Sequence, residues 1–249
     1  MIFRASFSGN AVPNVEGPGG IQVHLEITAQ VRVKAHLAAF SLAAATDFAR
    51  EALELEDRYG QPGVIAPERH RSAVLASVVL AAAFVEGGVN EICRQAVDRD
   101  RDVWTNYGEA ELSRLSDSWE LLEEQRTPTL RKCQVVLDVL RKRQFSQGEE
   151  PYQSAAGVFA VRNAIMHFKP EWDTDRENHA SLEQRLKGRF PLNRFVMASH
   201  RFFPHAALGA GLARWTCLSA IAFMTEFVAR LGIASPLRSA MDAARAALK

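Results

Sequence analysis

Ala207 to Leu231 reads ALGAGLARWTCLSAIAFMTEFVARL, and Gly232 follows it. The segment is apolar nearly all round when wound as a helix, which marks a helix surrounded by others rather than lying on a surface. Gly232 supplies the stop, and Ser235-Pro236 opens a short last helix over Leu237 to Leu248. Working back towards the N-terminus, other segments repeat the helical period. The segment from Glu150 to Phe168 carries an apolar stripe of Tyr152, Ala155, Val158, Phe159, Ile165 and Met166, and stops ahead of Lys169-Pro170. Pro128 opens a helix with Leu130, Cys133, Val136, Leu137 and Leu140, closed by Arg141-Lys142-Arg143. Pro67-Glu68 opens one that runs to about Asp98, with a stripe of Leu75, Val78, Val79, Ala82, Val85, Val89 and Ile92. Thr28 to Tyr59 is rich in alanine and leucine and ends at Gly60.

The stretches between are of two kinds. Residues 99–127 are charged and mixed, and read as a connecting excursion with a short helix. Residues 170–206 are polar and irregular, with a short helix expected over Ser181–Arg189. The first 28 residues differ from the rest. Ile2 to Phe7 and Ile21 to Ile27 alternate apolar with other side chains around Pro13 and Gly17-Pro18-Gly19-Gly20, the pattern of a small β-hairpin or ribbon, or of an arm that adds to a partner's sheet edge. The expected architecture is all-α: a bundle of four to five long helices over 29–249 behind that ribbon.

Composition excludes several classes. The chain has 249 residues, 47% apolar and 24% charged, which is globular rather than disordered. Lysine and arginine total 30 against 29 acidic residues, so no global basic field advertises nucleic acid or an acidic membrane. Cys93, Cys133 and Cys217 stand far apart, which fits neither a disulfide scaffold nor a zinc knuckle and suits a reducing cytoplasm. The uncharged run Ala73–Val85 is too short to span a bilayer, and Arg214 interrupts the later apolar segment, so no membrane partner is expected. The first ten residues lack the apolar core of a signal peptide. Gly209-x-Gly211 lacks the strand and third glycine of a dinucleotide site. His200 and His205 lack metal-ligand spacing, and Glu171, Asp173 and Asp175 read as a charged loop.

Two polar intrusions interrupt the helical stripes. Arg162 falls inside the stripe of its helix, four residues after Val158 and four before Met166, while Asn163 and His167 stack on an adjoining face. On the helix from Pro67, Glu86 and Asn90 stand four apart against Ala82, Val85 and Val89. An unpaired charge in such a stripe is costly, so Glu86 is expected to face Arg162. Gly87-Gly88 beside it would let another backbone approach.

Arg162-Asn163-x-x-x-His167 near the end of a helix in an all-α chain resembles the signature of HEPN domains, and Phe84-x-Glu86-x-x-x-Asn90 is similar to a helix that accompanies it in several subgroups. The resemblance spans roughly residues 30–231, with 99–127 and 170–206 as insertions. It implies a helical bundle that dimerises to bring two copies of the motif to one cleft, and a metal-independent, cofactor-free endoribonuclease, as in toxin–antitoxin and phage-defence systems, with an antitoxin or defence-system partner. It equally implies an alternative, a catalytically inactive module that binds RNA or nucleotides within a larger complex. Under the first, Arg162, Asn163 and His167 are catalytic and Glu86 and Asn90 support them. Arg141, Lys142, Arg143 and Lys169 are candidate RNA contacts. Lys169 stands where one subgroup carries a modified tyrosine, so that regulation is not implied.

Overall fold

The computed structural model describes residues 34–169, 179–197 and 199–249. The ribbon expected over 1–28 lies outside them, as do Glu171, Asp173 and Asp175. Met1–His36 forms one unit, of which only 34–36 are described, and Leu37–Lys249 forms the other. Among the described residues the regular structure is helical, with no strand.

The first helix, α1, spans Ala38–Tyr59. It starts later than Thr28 because residues 34–37 are not helical and its cap comes from elsewhere in the chain. The Glu91 carboxylate accepts from the N–H groups of Leu37 (2.7 Å) and Ala38 (2.9 Å), satisfying donors that a helix start leaves open. Glu91 lies on α2, Glu68–Val97, which follows Pro67 as expected and runs antiparallel to α1. One turn earlier, a Cβ on Gly87 would meet Ala38 at ordinary van der Waals distance. Gly88 admits side chains rather than a backbone: a Cβ there would lie 2.9 Å from Met224 Cε and 3.0 Å from Leu237 Cδ1.

The excursion expected over 99–127 is instead largely a helix that builds core. The third helix, α3, covers Glu109–Glu124, and its Leu112, Leu115, Trp119 and Leu122 are buried. Its acidic residues face outwards, so an average over the segment hides a narrow stripe at helical spacing. The fourth, α4, is Thr129–Val139, and α5 is Tyr152–Met166. Then come α6, Ala180–Leu186, and a wide turn at Phe202–Ala206. The chain closes with α7, Ala210–Leu231, and α8, Arg238–Ala247.

The helix α7 is central, touching α1, α2, α4, α5 and α8, and it ends on Gly232 at φ +65°, a left-handed stop whose N–H returns to the carbonyls of Val228 and Ala229. Both α2 and α7 are long and apolar enough to cross a bilayer by length and composition. The sequence estimate of two short runs is corrected there, because it stopped at single charges that a longer window tolerates. More than half of each window is buried against other helices of the bundle, the pattern of a core helix.

Candidate functional site

Arg162 sits in the last turns of α5 and Glu86 in the second half of α2. Arg162 Nη2 donates to Glu86 Oε2 at 3.0 Å, and Nη1 donates to Asn163 Oδ1 at 3.0 Å. The guanidinium also lies 5.7 Å from the centroid of the Phe159 ring. Two acceptors fix the plane of the group while using two of its five N–H donors.

The pairing stands where the sequence puts it, but its environment differs. Arg162 is 27% exposed and Glu86 48%, so the pair is at the surface rather than inside an apolar stripe. The reason lies in how α5 packs. Its buried face is Ser154, Ala155, Gly157, Val158 and Val161, and Met166, expected in the stripe, is exposed. Small residues let α7 come close: a Cβ on Gly157 would lie 2.9 Å from Trp215 Cη2.

The C-cap of α5 is His167, not a residue within the helix; its N–H donates to the Asn163 carbonyl at 3.0 Å and its side chain is exposed. Asn163 is exposed and Asn90 half-buried. Along a helix, five residues are about 7.5 Å of rise and about 140° of rotation. The backbone positions of Arg162 and His167 are therefore offset both along and around the helix axis.

The basic residues after α4 lie elsewhere. Lys142 Nζ sits 5.2 Å from the Tyr107 ring, and the Arg143 carbonyl accepts from Arg230 near the end of α7. Gly157 meets Trp215 near the start of α7, and α5 runs on from there towards that start. The Arg143 carbonyl and Arg162 are thus more than about 20 Å apart along α7. Lys169 is exposed three residues beyond the end of α5.

Burial pushes the Cys217 thiol up to about 11 and those of Cys93 and Cys133 well above their ordinary value, so none offers a thiolate near neutrality. Among the described residues no three His, Cys, Asp or Glu side chains gather as metal ligands.

Sequence reading missed a buried polar centre. Glu56 is 3% exposed, and its Oε1 lies 2.9 Å from His70 Nε2 and accepts from the Ala210 N–H at 2.8 Å, capping α7. The signal was present: Leu42, Ala45, Ala49, Ala52 and Glu56 form one face, with an acid at the end of a stripe of small residues. Beside it lies a groove of about 170 Å³, lined by Leu53, Arg189, Phe190, Arg194 and Trp215 among others, and neither Arg162 nor His167 borders it. Gly209 and Gly211 serve close packing there, against Asn193 and Pro191.

No family model, no curated protein and no solved structure matches the chain.

Proposed function

We propose that this protein is a metal-independent endoribonuclease of HEPN type, acting as a homodimer through the face that carries Arg162 and His167. The observation that carries this is a guanidinium oriented at the surface by Glu86 and Asn163, with an exposed histidine at the end of the same helix. The offset of their backbone positions favours a site shared by two copies, as a two-fold axis supplies.

In that reaction one His167 takes the proton of a ribose 2′-hydroxyl, whose oxygen attacks the adjacent phosphorus. The second His167 gives a proton to the departing 5′-oxygen. The P–O5′ bond breaks, leaving a 2′,3′-cyclic phosphate and a 5′-hydroxyl. Imidazole suits both roles because it changes charge near neutrality. Arg162 stabilises the charge that builds on the non-bridging oxygens, and Glu86 holds its fork in plane. Toxin or phage-defence work, a cytoplasmic setting and an antitoxin partner belong to the same proposal. Binding without cleavage is the second reading, favoured by the exposure of the His167 side chain.

Replacement of His167 or Arg162 by alanine tests the proposal on bulk RNA with EDTA present. Loss of cleavage by about 10²–10⁴-fold is expected for His167→Ala. Arg162→Ala is expected to lose about 10²–10³-fold, by analogy with one oxyanion donor. Cleavage that survives His167→Ala, or that needs magnesium, removes this mechanism. RNA binding without cleavage in the wild type selects the second reading.

A further inference from the structure

We propose that the ring of Phe168 seats an unpaired nucleobase of single-stranded RNA beside the phosphate engaged by its neighbour His167; this rests on the ribonuclease reading above. Phe168 follows the C-cap of α5 and keeps 42% of its surface in solvent. It is nevertheless held in place. Its ring plane lies within 11° of the His179 ring, with centroids 6.4 Å apart, and it meets Phe203 at 64° and 6.2 Å. His179 and Phe203 close the triangle edge to face at 4.8 Å. Phe203 is itself buried, in the same apolar cluster as Val161 and Leu212, so the three rings are tied to the core. An exposed aromatic ring fixed from behind is a stacking platform formed before any ligand arrives.

The flanking residues say what stacks on it. His167 and Lys169 are its chain neighbours and both are exposed. An apolar protein segment laid over Phe168 would desolvate the Lys169 ammonium and the polar His167 ring without compensation. A base arrives with phosphates on either side, and those phosphates offer acceptors to Lys169 and His167 while the base covers the ring. Duplex RNA keeps its bases stacked within a helix whose deep major groove side chains cannot read, so a ring can take a base only from a loop, bulge or single strand. The site would therefore select unpaired RNA through stacking, with little preference among bases.

The test uses a single-stranded RNA labelled with 2-aminopurine, bound to the His167→Ala protein so that the strand stays intact, and a duplex of the same sequence. Binding is expected to quench the label. Adding Phe168→Ala is expected to remove the quenching and weaken single-strand affinity by about 5- to 150-fold, with Phe168→Tyr retaining both and duplex affinity unmoved. Unchanged affinity and quenching in Phe168→Ala overturns the base seat. So does a shift from dimer to monomer in sedimentation with RNA affinity per dimer unchanged, which assigns the ring to a second copy. The two readings separate in the wild-type background. Quenched binding without cleavage supports the seat and removes the ribonuclease, whereas cleavage with the same KM for single-stranded RNA in wild type and Phe168→Ala removes the seat alone. No binding of single-stranded RNA by the wild type overturns both.

Discussion

Removing the Arg162–Glu86 pair measures how far this site belongs to the surface. The structure gives a 3.0 Å contact with both side chains in partial contact with solvent, 27% and 48% exposed. At that separation two unit charges attract by about 1.4 kcal/mol in water. Ordering two long side chains takes back part of this. Exposed pairs accordingly couple by about 0.2–1 kcal/mol, against about 3–5 kcal/mol lost when one partner of a buried pair is removed. The perturbation is the cycle of Arg162→Met, Glu86→Gln and the double variant. The assay is urea denaturation followed by circular dichroism at low and high salt. A coupling below about 1 kcal/mol, shrinking as salt screens it, is expected. The fold should survive both single changes while cleavage falls in each. A coupling of about 3 kcal/mol or more, insensitive to salt, would refute the reasoning, since it requires the pair to be buried.

Other expectations follow from the fold. Glu56→Ala should destabilise by about 2–5 kcal/mol in thermal or chemical denaturation, because the His70 ring and the Ala210 N–H both lose their buried partner; Glu56→Gln, which keeps an acceptor, should cost less. Arg141 holds φ +54° at the end of α4, so Arg141→Gly should stabilise by about 0.5–1 kcal/mol, and it should leave RNA cleavage nearly unchanged given the distance to Arg162. Burial raises the Glu150 carboxyl, but hydrogen bonds from Ser154 and Arg189 outweigh it and hold the group below its ordinary value. A depressed acid contributes stability above its unfolded pKa and loses it as pH falls through the folded one. Glu150→Gln should therefore lower stability at pH 7, by under about 1 kcal/mol for so exposed a pair, with the difference shrinking as pH falls below about 4; a difference that grows on acidification contradicts the sign.

The sequence was legible where a residue's role depended on its own neighbours. The span of α7 and its stop at Gly232, the start of α2 after Pro67, and the short helix α8 all follow from local pattern and turn chemistry. It was opaque where the deciding partner was distant. The start of α1 is set by Glu91, more than fifty positions on. The membership of α3 in the core rests on a stripe masked by the charges around it. Ala155 and Val158 of the expected α5 stripe are buried and Tyr152, Phe159 and Ile165 pack against the core, but Met166 is exposed, and the small residues that admit Trp215 were not part of the pattern. For the same reason the Glu86–Arg162 pair could be read as a partnership, from two anomalies in two stripes, while its exposure could not.

The shared account of Arg162 and His167 is tested most directly by the chemistry of the cut ends. Wild-type protein incubated with single-stranded RNA in excess EDTA should yield fragments ending in a 2′,3′-cyclic phosphate and beginning with a 5′-hydroxyl. A strand with a 2′-deoxy sugar at the cleaved position should stay whole. Intact RNA under these conditions, or fragments with 5′-phosphate ends, would contradict it.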